Sequence, residues 1–326
     1  MGKFVVKSVT DMNDAKIGET IGESDYSLYT SKDKFVQFEY IEEEEKVELY
    51  DVKPGLFSIE KDLTGFHLRP AEFAKERILE EYVSTKEVSE KIDCFFNRLP
   101  IYTELGIPYP KRGILLYGDP GTGKSQIISK VCNHYATIRH DTVCVIWHTD
   151  KFDAHEVKAF VKRFNYEKNK VEKMILVVED IGGAEWEGQK MASNSSLLSL
   201  LDNVERTFVK PTMILATTNY PMNMLGNLTN RPQRFDDKIE VRTPPAEFRA
   251  KFLEFFSRGE ADEAVKKKIM EKKHEKLSVA HIKEVVIRSK LYEMSFDKSL
   301  TQVQEELDMA LREFSKRAAS MGFGSD

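Results

Sequence analysis

The chain has 326 residues, of which 41% are hydrophobic and 32% charged, and a formal net charge of −5. That balance describes an ordinary globular chain of two or three domains and argues against one that coats nucleic acid. No apolar run approaches the roughly 18 residues that a membrane span needs, no basic-then-apolar leader opens the chain, and the cytoplasm is the expected compartment.

Residues 1–70 alternate apolar and polar positions, as in "KFVQFEYI" and "GLFSIE", and are punctuated by "KPG" and "LTG". Period-2 patterning predicts a small β-rich N-terminal domain. "EEEE" at 42–45 reads as a solvated turn or edge. From about residue 71 the period becomes helical. Cys94, Cys132 and Cys144 form no CxxC pair, lie in apolar contexts, and read as reduced core thiols.

From Arg112 strands alternate with helices. "RGILLYG", "TVCVIWH", "KMILVVED", "TMILATTN" and "DKIEVRT" are short buried strands, with "GKSQIISKVCNHYA", "HEVKAFVKRF" and "SSLLSLLDNVE" between them as helices. That rhythm predicts an α/β fold with a parallel sheet and helices on both faces. After Pro244 the pattern is helical to the end. The expected domains are therefore 1–70, 71–243 and 244–326.

Within "YGDPGTGKSQ", Gly118, Gly123, Lys124 and Ser125 fit G-x-x-x-x-G-K-[ST], after a buried strand and before a helix. Glycines let the backbone wrap until several N–H groups converge on phosphate oxygens, and the helix N-terminus adds its positive end. Lys124 is placed to reach terminal phosphates and the Ser125 hydroxyl to hold Mg²⁺. The binding segment is Asp119, Pro120, Gly121, Thr122, Gly123, Lys124, Ser125 and Gln126.

"MILVVED" delivers Glu179 and Asp180 to the carboxyl end of a buried strand, where open parallel sheets bind ligands. One carboxylate can hold Mg²⁺, partly through water, and the other can polarise the attacking water. "ILATTN" ends in Asn219, a candidate for orienting water or a plain turn starter. ATP is favoured over GTP. "NKVE" at 169–172 ends in Glu where a guanine reader has Asp, and it precedes the acidic strand instead of coming after it.

Over roughly 95–295 the chain resembles the AAA+ ATPases, specifically the AAA proper clade. "YTELGIPYPKRGILLYGDPGTGKS" is similar to the family's first-strand block and "LTNRPQRFDDKIEVRTPPAEFR" to its second homology region. "GIPY", GKS in place of GKT, and Glu-Asp in place of the commoner Asp-Glu are similar to the mitochondrial Rieske-protein translocase subgroup. The resemblance implies a P-loop NTPase fold of strand order 5-1-4-3-2 with a C-terminal helical lid, and ATP with Mg²⁺ as cofactors. It puts Glu179 in the metal slot beside Ser125, Asp180 in the base slot and Asn219 in the sensor slot. Arg231 and Arg234 match arginines that reach a neighbouring subunit's ATP. "SVAHIK" at 278–283 falls where the lid meets adenine. Gln233 stands where Gly is usual, and Phe152 and Trp186 are the aromatics of the two central loops.

The resemblance further implies a ring of identical subunits, a hexamer or a heptamer, that remodels a protein substrate. The N-terminal domain would take the substrate or an adaptor. The alternative is a nucleic-acid-associated ATPase of the clamp-loader or helicase-loader kind, using basic segments such as "KRFNYEKNKVEK" and "VKKKIMEKKHEK". A third reading is an ATP-binding switch with slow turnover.

Overall fold

The computed structural model describes residues 27–31, 34–38, 54–62, 65–72, 79, 82–108, 110–136, 142–148, 171–181, 201, 208, 210–219 and 235–320. Among these residues nine strands form one sheet: β1 (Ser27–Ser31), β2 (Lys34–Phe38), β3 (Gly55–Asp62), β4 (Gly65–Pro70), β5 (Lys111–Tyr117), β6 (Thr142–His148), β7 (Lys173–Glu179), β8 (Thr212–Thr218) and β9 (Asp237–Glu240). Their order is β2-β1-β4-β3-β6-β7-β8-β5-β9. The segment β6-β7-β8-β5-β9 is the expected 5-1-4-3-2 read from the other edge.

The central strands are apolar through their middles because both faces are covered. All seven residues of β8 are buried, as are the five central residues of β7. The pairings β6·β7, β7·β8 and β5·β8 are all parallel. From β5 the chain enters α3 (Lys124–His134) on its way to β6. This helix buries Ile127, Ile128, Val131 and Cys132, the spacing of a single face. Each such side chain contributes about 1.5–3 kcal/mol on leaving water.

The strands expected in residues 1–70 continue this sheet. β3 lies parallel to β6, from Gly55↔Val143 to Ser58↔Ile146, and β4, β1 and β2 extend it as antiparallel ribbons. Leu56, Phe57 and Ile59 are buried with the sheet's core.

Two of the three cysteines are core thiols, as expected. Cys144 of β6 is buried, and its Sγ donates to the carbonyl of buried Cys132 at 3.7 Å. Burial, then the hydrogen bond with Cys144, pushes the Cys132 thiol well above its ordinary pKa. Cys94 corrects the expectation, for it is exposed. It lies on α1 (Val83–Asn97), whose buried stripe is Val88, Ile92, Phe95 and Phe96, and the helical period turns Cys94 away.

The edge strand β9 is pinned by charge. Asp237 accepts from Lys91 Nζ of α1 at 2.8 Å and from Arg112 Nε of β5 at 2.9 Å. Burial works against the Asp237 carboxylate, but these two cations outweigh it and hold its pKa below the ordinary value. Asp236 accepts from the Gly113 N–H at 3.0 Å and its own N–H donates to Gly113 O at 2.9 Å.

The chain divides into two compact units. One comprises Met1–Ile78, Ser84–Tyr117 and Ser125–Ile239; the other comprises Leu79–Val83, Gly118–Lys124 and Glu240–Asp326. The first unit also holds the short α2 (Pro100–Glu104), and among the described residues four further α-helices belong to the second. They are α4 (Ala246–Ser257), α5 (Glu263–Ile269), α6 (Val279–Leu291) and α7 (Phe296–Ser320). Buried Arg249 of α4 holds the end of α5. Its guanidinium donates to Ile269 O (2.8 Å) and Met270 O (2.9 Å), end carbonyls that the helix itself leaves open, and also to Glu271 O (3.1 Å) and to Pro244 O (3.2 Å) ahead of α4. Ser299 Oγ ties α7 to α6 through Val285 O at 2.7 Å.

Two histidines of this unit are held neutral. His281 closes a capping box at the start of α6. The Ser278 N–H donates to His281 Nδ1 at 3.1 Å, and Ser278 Oγ caps the His281 N–H. Buried His274 has Nδ1 2.7 Å from Gln304 Oε1, while its Nε2 has no partner among the described residues. Burial lowers both pKa values below the ordinary histidine value. The unfolded chain therefore binds more protons than the folded one as pH falls through about 6.5. Stability is complete above that value and declines as pH drops toward the depressed folded values. Urea denaturation at pH 5.5 and 7.5 is expected to give the lower stability at pH 5.5. His281→Gln keeps a capping-box side chain at that position and flattens part of the difference. An unaltered pH slope in the variant would mean that His281 does not contribute.

Candidate nucleotide-binding site

The phosphate loop connects β5 to α3. Gly118, Gly121 and Gly123 have φ of 142°, 74° and 102°, the left-handed range that side chains disfavour. Positive φ at these points alternates the direction of the peptide groups, which turns successive N–H groups toward one concavity. Thr122 is fully buried and its Oγ1 donates to Asp119 O at 2.9 Å, closing the turn. The Lys124 ammonium donates to Gly118 O at 2.7 Å and Asp119 O at 2.8 Å, which holds the cation at the loop. Ser125 comes next, on the first turn of α3. Curved backbone, an enclosed cation and a helix N-terminus carrying a hydroxyl are the donor set that a nucleoside triphosphate and its Mg²⁺ require. The residues fit that pair.

Two close approaches explain the glycines. A Cβ on Gly118 would lie 2.3 Å from Val241 O, and one on Gly121 would lie 2.9 Å from both Ser278 Oγ and Ala280 Cβ. The Ala280 N–H, one of the free donors at the start of α6, donates to Gly121 O at 3.0 Å. The 278–283 segment, expected beside adenine, thus touches the loop itself.

In the sheet unit, β5, β7 and β8 run parallel and finish at one edge. The β7·β8 ladder stops at Val178↔Ala216. Beyond it Asp180 takes φ 51°, left-handed for a residue with a side chain. Asn219 Nδ2 donates to Asp180 Oδ1 at 3.0 Å, so the two residues expected as base and sensor meet. Glu179 is the last residue of β7 and is half-buried. Arg231, Arg234, Gln233, Phe152 and Trp186 lie outside the described residues.

Sequence reading missed Thr217 and Thr218. Thr217 Oγ1 accepts from the Asp180 N–H at 2.9 Å, and Thr218 Oγ1 donates to Ile181 O at 2.7 Å. Their signal was two hydroxyl residues side by side at the end of an otherwise apolar strand. The basic stretch around α5 carries acidic partners: Lys266 pairs with Glu263 and Glu254, Lys268 with Asp297, and Lys273 with Glu271.

Crowding separates glycines that share the left-handed backbone. Gly118→Ala is expected to cost more than about 2 kcal/mol, since strain and a backbone clash combine. Gly106→Ala, at φ 71° with nothing within 4 Å, is expected to cost about 1 kcal/mol. Urea unfolding of both variants measures this, and equal losses would rule out the close approach at Val241.

Residues 114–243 match the family model described as "ATPase family associated with various cellular activities (AAA)". The chain is 30% identical over 183 residues to the 26S proteasome regulatory subunit 8 homolog of Schizosaccharomyces pombe, covering 53% of this chain and 44% of that protein. It is 26% identical over 234 residues to the proteasome-activating nucleotidase of Methanosarcina mazei, covering 68% and 54%. With the cell division cycle protein 48 homolog of Archaeoglobus fulgidus it shares 28% identity over 181 residues, covering 52% and 23%. The chain thus spans about half or less of the length of these relatives. The match takes in most of β5, the phosphate loop, β6, β7 with its acidic end, β8 and β9, and the chain carries an AAA ATPase domain over residues 114–243.

Proposed function

We propose that the chain is an ATP hydrolase that works as a ring of identical subunits and couples hydrolysis to the remodelling or translocation of a protein. The observation that carries this reading is the carboxyl edge of the sheet, where Asp180 is held by Asn219 at the end of β7 in a chain whose β5 leads into a phosphate loop. ATP with Mg²⁺ supplies the phosphoanhydride whose hydrolysis releases the free energy. Lys124 binds the terminal phosphates, Ser125 and Glu179 hold the metal, and Asp180 takes the proton of the attacking water. Asn219 orients that water and fixes the Asp180 carboxylate. Arg231 and Arg234 serve the neighbouring subunit's site, a role suited to a permanently charged bidentate group.

A protein substrate is favoured over nucleic acid by two observations. The relatives are named for the proteasome and for Cdc48, and in the basic stretch at α5 Lys266, Lys268 and Lys273 are paired with acids. Among AAA motors, the "GIPY" block, GKS and the Glu-Asp order support a place near the Rieske-protein translocase subgroup, with six or seven subunits. Residues 1–70 would take the substrate or adaptor, with Phe152 or Trp186 touching it in the central loops. No described helix is long and apolar enough to cross a membrane, and the cytoplasm is the proposed compartment.

The two carboxylates have separable roles. Asp180→Asn is expected to keep ATP bound while hydrolysis falls by roughly 10²-fold or more. Glu179→Gln is expected to weaken Mg²⁺-dependent binding. Turnover at the wild-type rate in Asp180→Asn would exclude Asp180 as the base.

Ring action is tested by mixing. Arg234→Ala is expected to bind ATP normally and hydrolyse it about 10³-fold more slowly, and Lys124→Ala to lose ATP binding. In mixed rings one subunit supplies an intact pocket and its neighbour an intact arginine, so part of the activity returns. Mixed rings that form and stay inactive would make Arg231 and Arg234 structural.

A further inference from the structure

Asp180 sits in an unfavourable backbone conformation. Its φ of 51° is one that most side chains avoid, and aspartate tolerates it better than most. Such a conformation persists only where neighbours fix it. The neighbours here are three consecutive residues, Thr217 and Thr218 at the end of β8 and Asn219 just beyond it. Thr217 Oγ1 accepts from the Asp180 N–H at 2.9 Å, and Thr217 O accepts from the Ile181 N–H at 2.8 Å. Thr218 Oγ1 donates to Ile181 O at 2.7 Å, and Asn219 Nδ2 donates to Asp180 Oδ1 at 3.0 Å. The ladder between β7 and β8 has already ended at Val178↔Ala216. The Asp180 N–H has therefore left the strand's own pattern, and a side chain takes its place as acceptor. Thr217 and Thr218 are both buried, so the bonds of their hydroxyls form where water competes poorly, whereas the Asn219–Asp180 bond is exposed.

We infer that Thr217 is a positioning residue for Asp180: its hydroxyl substitutes for the missing ladder acceptor and sets the left-handed turn from which the carboxylate projects. This rests on the reading of Asp180 as the base. A β-branched residue suits the role because it fits the strand and has restricted χ1 rotamers. Valine would fill the same space without the acceptor, leaving the Asp180 N–H without its bond and the turn free to relax toward an extended conformation.

The test compares Thr217→Val with Thr217→Ser. In the nucleotide-free protein, amide hydrogen exchange at Asp180 is expected to be at least tenfold faster in Thr217→Val than in wild type, and close to wild type in Thr217→Ser. Turnover number for ATP is expected to fall about tenfold or more in Thr217→Val with KM nearly unchanged, and to recover in Thr217→Ser. A loss that appears as raised KM, or that is equal in both variants, overturns the inference, since the hydroxyl would not be its cause. Wild-type exchange and turnover in Thr217→Val overturn it too. Should Thr217→Val fail to fold, Thr217→Cys, with its weak sulfur acceptor, takes its place under the same expectations. Asp180→Asn run alongside separates the two levels. If it turns over normally, the base assignment fails. If it is inactive while Thr217→Val is normal, the positioning inference alone fails.

Discussion

The parallel ladder running from Lys111↔Thr212 to Tyr117↔Thr218 sets the height at which chemically useful residues leave the sheet. β5 ends at Tyr117 and releases the glycine loop one residue later. β8 ends opposite it at Thr218 and releases Asn219. The β7·β8 ladder stops two rungs lower, at Val178↔Ala216, so β7's terminal Glu179 keeps only its pairing with His148 of β6 and Asp180 emerges beyond both ladders. None of these heights is free to drift. A one-residue slip would reverse the facing of every side chain in strands that are buried on both faces and closely packed. The rigidity of the apolar strands therefore fixes the geometry of the polar residues at their ends.

Much of this was legible in the sequence because it is local. A glycine loop between a buried strand and a helix, two acids closing an apolar run, and an amide closing another are patterns within ten residues. The features that were not legible depend on partners far along the chain. The strands of residues 1–70 have a clear period, but period does not say whom they pair with, and β3 pairs with β6 more than eighty residues later. Thr217 and Thr218 look like ordinary strand residues until the neighbouring strand runs out. Cys94 looks apolar by its neighbours, Ile92 and Phe95, yet the helical turn sets it on the other side. His281 closes a capping box where glutamate or glutamine is the usual occupant of that position.

The phosphate loop shows the same division between local motif and distant support. Its glycines are explained by conformation, but Gly118 and Gly121 are also places where another backbone or side chain leaves no room for a Cβ. The loop lies against Val241 and against the start of α6. Through Gly121 O it accepts the Ala280 N–H. Substitution there disturbs two elements together, which is why crowding, and not left-handed φ alone, separates Gly118 from Gly106.

The order of the two acids has a physical side. Asparagine and aspartate enter the left-handed region several-fold more readily than other residues with side chains, because a short polar side chain bonds locally. At Asp180 the bond comes from a residue distant in the chain, Asn219, 39 positions on. The residue before it, Glu179, still belongs to β7 and pairs opposite His148 of β6, an extended position that suits a longer side chain. With the order reversed, a glutamate would occupy the left-handed turn and an aspartate the strand end. The turn would lose its better-suited residue, and the strand-end carboxylate would be one methylene shorter. The Glu-Asp order therefore goes together with this turn, and the hydroxyl of Thr217 and the amide of Asn219 are what hold the turn in place.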